Sequence, residues 1–142
     1  MTTRENQAES SETGSAMIEF LGLGLMLMIP TVYFLLAIFS LQSGAMAAIA
    51  ASQQAIQVIE NSPRSAISNS SVQRSAAFAA ADYGFAPEQV AATVSCTGDC
   101  TEESALRVDV AISVNIPLIP GMNNQEMAEM TSSATAWGGK YR

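Results

Sequence analysis

The sequence lacks histidine altogether and contains only two cysteines and six lysine or arginine residues among 142. Histidine is the usual general base and a frequent zinc ligand, so its absence excludes most acid–base, nucleophilic and zinc chemistry. With a net charge of −7, the chain has no basic patch to neutralise phosphates, which excludes a nucleic-acid partner. Charged residues make up only 13%, against roughly 25% in soluble proteins. This shortage indicates that part of the chain lies in a membrane.

A long uncharged segment is the strongest feature that is present. Residues 20–41 contain no charged side chain and consist mostly of Leu, Ile, Met, Phe, Val and Ala. As a helix these 22 residues would measure roughly 33 Å, which matches a hydrocarbon core of about 30 Å. Pro30 is expected to loosen the helix, because it cannot donate a hydrogen bond to the carbonyl of Met26. The pattern predicts one transmembrane helix over residues 15–42.

Two other interpretations of this segment are weaker. A buried helix of a soluble protein would need layers of structure on every side, and a chain of 142 residues has no room for them. A cleavable secretory signal usually has about 7–15 apolar residues behind a positive charge. Here the run is longer, and the residues before it include Glu5, Glu9 and Glu12 against a single arginine, Arg4. The Ala-rich stretch after Leu41 does resemble a signal-peptidase site, so this interpretation stays open.

The residues before the membrane segment set the expected topology. Residues 1–14 are interpreted as a cytoplasmic leader, and the polar composition of residues 1–13 predicts disorder. Arg4 lies on this side, and the next basic residue after the apolar run is Arg64. Since basic residues favour the cytoplasmic side, we expect a single-pass protein of the cell membrane with its N-terminus in the cytoplasm and its C-terminal domain outside.

A short motif directly before the apolar run carries the most specific signal. Residues 14–20 read GSAMIEF. A carboxylate in a membrane helix costs about 2.5–3.5 kcal/mol at mid-bilayer and less near the surface, so one interpretation leaves Glu19 at the headgroup level. The other interpretation rests on the spacing between Gly14 and Glu19. Cleavage between Gly14 and Ser15 would create an amino group four residues before Glu19 on the same helix face, where the two charges can pair.

This arrangement resembles the type IV pilins, in which a prepilin peptidase cuts after a glycine and glutamate is the fifth mature residue. Residues 14–55 further resemble the TadE family, particularly its actinobacterial members. They share the Glu19-Phe20 pair, the Pro30 interruption and a small-residue helix after the membrane. The C-terminal half fits as well, with a cysteine pair, a strand that ends in proline and a closing Lys-Tyr-Arg. The leader departs from the pilin pattern, because acidic and neutral residues precede Gly14 where pilins commonly carry Lys or Arg.

The resemblance implies a function in assembly rather than catalysis. It implies a minor pilin or pseudopilin of a Tad-type pilus, inserted in the cell membrane and processed at Gly14 and Ser15 by a prepilin peptidase. Its partners would be other pilin-like subunits and the Tad assembly machinery, with Glu19 serving assembly. The alternative is an uncleaved, single-pass accessory or binding protein tethered in the cell envelope. We expect neither enzymatic activity nor a cofactor, since no spacing typical of a catalytic pair relates the candidate carboxylates: Asp82, Glu88, Asp99, Glu102, Glu103 and Asp109.

Beyond the membrane, residues 43–84 are predicted to form an extracytoplasmic helical stalk. A helix over residues 43–61 carries a stripe of glutamines and a glutamate, with isoleucines away from it. This helix can rest on its own domain or pack against other subunits, and the pattern does not separate the two. Pro63 ends it, and a second short helix is predicted over residues 71–83, stopped by Gly84.

Residues 85–142 change to the period of a strand and are predicted to form a small β-rich extracytoplasmic domain. Over residues 106–116 every even position is Leu, Val or Ile, which is typical of a half-buried strand. Residues 90–96 alternate similarly, and a weaker strand is predicted over residues 131–137. The expected fold class is α+β: a long N-terminal transmembrane helix that continues into a stalk, a short second helix and a small antiparallel β-sheet domain.

Cys96 and Cys100 lie in the predicted connection between the first two strands. Two thiolates can begin a zinc site, but no second cysteine pair or histidine completes it, so no metal site is expected. A disulfide across a tight turn is more consistent with an extracytoplasmic domain. The closed loop is short, so the disulfide is expected to fix the turn rather than to add much stability through chain entropy.

Overall fold

The fold combines a very long helix, a second helix and a three-stranded sheet. The computed structural model describes the backbone of residues 6–98, 104–116 and 126–137, and the side chains of these ranges except residues 6–13, 126 and 127. The helices and strands in chain order are α1 (Asn6–Glu60), α2 (Asn69–Ala81), β1 (Val90–Cys96), β2 (Leu106–Asn115) and β3 (Glu126–Ala136). Short 3-10 turns at Arg64–Ala66 and Pro87–Gln89 join α1 to α2 and α2 to β1. The predicted α+β class is confirmed.

Helix α1 contributes to both compact units of the chain, Met1–Leu36 and Ala37–Arg142. In the first unit it begins at Asn6, although the polar composition predicts disorder as far as residue 13. Extending an existing helix costs far less than starting one, so a polar segment can continue a helix that apolar residues begin. Pro30 lies inside α1, and directly after it the Thr31 hydroxyl donates to the Leu27 carbonyl at 2.8 Å.

In the second unit, both helices cover one face of the sheet. The face of α1 that is buried there consists mainly of small residues: Gly44, Ala47, Ala48, Ala51, Ser52 and Ala55. α2 contributes Val72, Ala76 and Ala80. The central strand supplies most of the larger core side chains: Leu106, Val108, Val110, Ile112 and Val114. Small residues on the helices let the backbones approach the sheet closely, so the branched side chains of β2 fill the core.

Gly44 lies where α1 comes very close to the sheet. A Cβ atom at this position would overlap Cγ2 of Val114 and lie 3.3 Å from Cγ of Met130. Two turns later, the Ser52 and Ser132 hydroxyl oxygens are 3.0 Å apart. Because Gly44 lies beside Met130 and Ser52 beside Ser132, this part of α1 runs in the same direction as β3.

Helix α2 begins and ends slightly earlier than predicted. Its start is set by Ser68, whose hydroxyl accepts from the Ser71 N–H at 3.2 Å while the Ser71 hydroxyl accepts from the Ser68 N–H at 3.2 Å. This capping box places the first helical residue at Asn69. After Ala81 the chain turns, and Gly84 adopts a φ of 84°, which agrees with the predicted stop.

The sheet is antiparallel, with the strand order β1-β2-β3. The predicted bounds of β1 are confirmed, and β2 ends one residue before the predicted limit, at Asn115. β3 begins at Glu126, well before the strand predicted over residues 131–137. Its period is hard to see in the sequence, because Ala, Ser and Thr occupy both of its faces. The pairing of β2 with β3 is regular up to an irregularity between Val114 and Asn115.

Candidate functional site

The residues of the predicted processing site lie on the surface of α1. Gly14, Ser15 and Glu19 are all exposed. A Cβ atom added to Gly14 would meet nothing within 4 Å, so the space beside its Cα atom is open. Ser15 and Glu19 are separated by about one helical turn, as pairing of a new amine with the carboxylate requires. Cleavage and the role of Glu19 in assembly stay predictions.

The apolar residues that follow form an exposed surface in the first unit. Residues 14–32 are all exposed, with Phe20 at 76%, Met26 at 75% and Leu27 at 73%. By length and composition, α1 can cross a membrane. A continuous exposed apolar surface of this kind is unfavourable in water and marks a contact surface for lipid or for another protein.

In the second unit, α1 also carries apolar side chains that its own domain leaves uncovered. Phe39, Met46 and Ile49 are 63%, 60% and 46% exposed. These residues are seven and three positions apart, and such spacings, as in a heptad repeat, keep side chains on one face of a helix. In the first unit, four exposed apolar side chains follow one another at intervals of three and four residues: Leu25, Met28, Val32 and Leu35. The small-residue face of this helix therefore rests on its own domain, while the apolar face is exposed. Packing of the exposed face against other subunits stays a prediction.

Side-chain amides of α2 cover the outer edge of β1. Gln73 donates from Nε2 to the Val90 carbonyl at 2.6 Å, and its Oε1 accepts from the Ala92 N–H at 2.7 Å. One turn earlier, Asn69 Oδ1 accepts from the Val94 N–H at 3.0 Å. Asn69 and Gln73 are four residues apart on a helix, and Ala92 and Val94 are two residues apart on a strand. Both separations correspond to roughly 6–7 Å, so the two side chains reach successive outward N–H groups of β1. These bonds take the place of a neighbouring strand. The sequence gives no signal for them, because polar residues on a helix do not reveal their partners.

The solvent face of the sheet bears a shallow hollow of about 440 Å³. In its lining, Arg107 Nε donates to Asp109 Oδ1 at 2.8 Å, and both side chains are about half exposed. Most of the remaining lining residues are small: Ala91, Thr93, Ala111, Thr131, Ser132 and Ser133. Within the described residues, no group of three or more His, Cys, Asp or Glu is placed to hold a metal ion. The hollow therefore presents hydroxyl groups and an ion pair to solvent.

The cysteine pair and the remaining carboxylates are only partly covered by the structure. Cys96 ends β1 and is half-buried. Cys100 lies outside the described residues, so the disulfide between them stays a prediction. Asp99, Glu102 and Glu103 also lie outside the described residues, while Asp82 and Glu88 are exposed.

Comparison with known proteins returns no relative: no family model, curated protein or solved structure matches this chain. Its function therefore has to be inferred from the residues and contacts described above.

Proposed function

We propose that this chain is a structural or assembly subunit of a Tad-type pilus, a TadE-like minor pilin or pseudopilin. The observation that carries the proposal is the presence of two different surfaces on α1. Residues 14–32 are apolar for the most part, and all of them are exposed. From Gly44 onward, one face of the same helix consists mainly of small residues and is buried against the sheet of its own domain. Such a helix is suited to anchor a small domain and to pack against other subunits.

The first part of the proposal is membrane insertion. As a helix, residues 20–41 match the thickness of a hydrocarbon core, and lipid would cover their exposed side chains. Arg4 before this segment favours a cytoplasmic N-terminus. The α+β domain after it is then extracytoplasmic, and the chain crosses the membrane once.

The second part is processing by a prepilin peptidase between Gly14 and Ser15. The site is exposed, and the new amine would lie four residues before Glu19. Pairing within one chain or between neighbouring chains would offset the cost of holding both charges at the membrane edge.

The third part is assembly with other pilin-like subunits through the uncovered face of α1. Phe39, Met46 and Ile49 are exposed beside a fully packed small-residue face. A helix of a neighbouring subunit would bury Met46 and Ile49, which follow the membrane segment, and gain roughly 25 cal/mol for each Å² of their apolar surface removed from water. Phe39 lies within the membrane segment and would contribute through packing alone.

An uncleaved accessory protein tethered in the cell envelope is the second candidate. One observation favours it: Glu12 and Thr13 precede Gly14, where pilin leaders commonly carry Lys or Arg. This candidate keeps the membrane anchor and the outer domain, and uses the domain to hold a partner.

The decisive experiment is the intact mass of the protein from membranes of a host with an active prepilin peptidase. We expect a mature N-terminus at Ser15, and we expect Gly14→Leu to leave the full-length chain in the membrane. Gly24→Leu is the matched control, because it changes another exposed glycine of α1 and should be cleaved normally. A wild-type N-terminus at Met1 or Thr2 would favour the tethered accessory protein instead.

A further inference from the structure

The two edges of the sheet differ, and this difference points to a second interaction surface. We infer that the outer edge of β3 binds an extended segment of another protein, which adds a fourth strand to the sheet and carries lysine or arginine opposite Glu129. This surface is distinct from the helix face proposed for pilus assembly.

The side-chain bonds from α2 fix which backbone groups of β1 point outward. Ala92 and Val94 donate their N–H groups to Gln73 and Asn69, so the even-numbered residues of β1 point away from β2. In an antiparallel ladder the N–H and C=O of one residue point to the same side, and the side alternates along the strand. The odd-numbered residues of β1 therefore bond to β2. In agreement, the Thr97 N–H donates to the Ala105 carbonyl at 2.9 Å just beyond the strand.

The same alternation extends through β2 to β3. Because odd-numbered residues of β2 bond to β1, its even-numbered residues bond to β3. The register places Val110 opposite Ser132 and Val108 opposite Ala134, so the even-numbered residues of β3 direct their backbone groups at β2. The odd-numbered residues of β3 direct their N–H and C=O groups outward: Glu129, Thr131, Ser133 and Thr135.

This outer edge lacks the protection that α2 gives to β1. Throughout the part of the chain that the structure describes, no side chain or backbone group hydrogen-bonds to it. β3 has 11 residues and contains neither proline nor lysine, which commonly protect edge strands from pairing. Glu129, Thr131, Ser133 and Thr135 are exposed, and three of them carry short hydroxyl side chains. A long unprotected edge of this kind is the surface that strand addition uses.

Charge identifies the added strand as part of a different protein. β3 contains Glu126 and Glu129 and no basic residue, so a parallel copy in register would place like charges side by side. A second copy in either direction would also bring the net charge of −7 of this chain to an edge that is already acidic. A segment of another chain with Lys or Arg opposite Glu129 meets neither objection.

Two labelled peptides test the charge preference on the purified full-length chain in detergent. Both are as long as β3 and alternate threonine with valine; one carries lysine near each end, and its twin carries glutamate at the same positions. By fluorescence anisotropy, the lysine peptide should bind at least about threefold more tightly than the glutamate peptide. Glu129→Lys should reverse this preference. Equal binding of the two peptides, or no binding of the lysine peptide, would overturn the inference.

A proline substitution tests the backbone pairing itself. Ser133→Pro removes an outward N–H that bonds to no described residue, whereas Ser133→Ala keeps it. We expect Ser133→Pro to weaken binding of the lysine peptide by at least about fivefold, with no loss from Ser133→Ala. Thr131→Pro is used in its place if the first variant does not fold. Equal binding by the proline and alanine variants would refute the strand addition. Since the purified chain is used, this outcome is independent of cleavage and membrane insertion.

Discussion

Gly44 sets how closely α1 packs on the sheet. A Cβ atom there would overlap Cγ2 of Val114, which is 1% exposed and, as a β-branched side chain, is restricted in χ1. We predict that Gly44→Ala lowers the free energy of unfolding by about 1–3 kcal/mol, measured by denaturant unfolding in detergent. Gly24→Ala is the control, because its Cβ would meet nothing within 4 Å. A Gly44→Ala chain as stable as wild type would show that α1 can move outward without cost.

Single residues also show what the sequence cannot predict. Ser52 donates its hydroxyl to the Ile49 carbonyl at 2.9 Å and lies 3.0 Å from the Ser132 hydroxyl. Since a hydroxyl has one proton, Ser132 is the donor in the second bond. Ser52 and Ser132 are 80 positions apart in the chain. No local pattern brings them together, so this contact and the one at Gly44 depend on the packed fold.

The attachment of α2 to β1 depends on Gln73, which bonds to both Val90 and Ala92. We predict that Gln73→Leu lowers the free energy of unfolding by about 1–3 kcal/mol, because a backbone N–H and a carbonyl lose their partner. The uncovered edge of β1 should also promote association, seen as a shift in size-exclusion chromatography with rising protein concentration. Gln54→Leu, on an exposed position of α1, should change neither result. Unchanged stability of Gln73→Leu would mean that water replaces these bonds fully.

The elements themselves differ in how well the sequence predicts them. β2 was predictable because Leu106 to Val114 alternate large apolar residues with smaller or polar ones, and burial follows the same alternation. The start of β3 was not predictable, because alanine, serine and threonine suit either face of a strand. α1 was predicted from its apolar run, yet the pattern did not show which face its domain covers. That face is recognised by its small side chains only once the sheet is in place.

Considered as a whole, the proposed topology places the β-rich domain outside the cell, and the cysteine pair tests this placement. Disulfides persist in oxidising compartments and are rare in the cytosol. We predict that Cys96 and Cys100 are oxidised to each other in protein from the envelope. Differential alkylation without reductant should leave both unlabelled, and the same sample after reduction should label fully. Free labelling of both thiols in rapidly trapped samples would contradict the disulfide and weaken the outside placement of the domain.

We predict that Glu19 acts in assembly after processing, so that its replacement impairs assembly but leaves membrane insertion intact. Glu19→Ala removes a charge from the membrane edge, so insertion should be unchanged or slightly easier. If cleavage creates an amine at Ser15 as proposed, the variant lacks the carboxylate that would pair with it. Packing of one subunit against the next should then lose a charge-assisted contact of about 1.5–3 kcal/mol if the contact is desolvated.

The expected signature is that membrane fraction and abundance persist in Glu19→Ala while co-purification with other pilus subunits, or pilus display, falls. Glu19→Gln should be intermediate at best, because it keeps the shape of the side chain without its charge. Glu60→Ala is the matched control, since Glu60 is exposed at the other end of α1 and should leave assembly intact. If both Glu19 variants assemble like the wild type, the carboxylate serves only as a headgroup-level residue. The tethered accessory protein then becomes the better account of the chain.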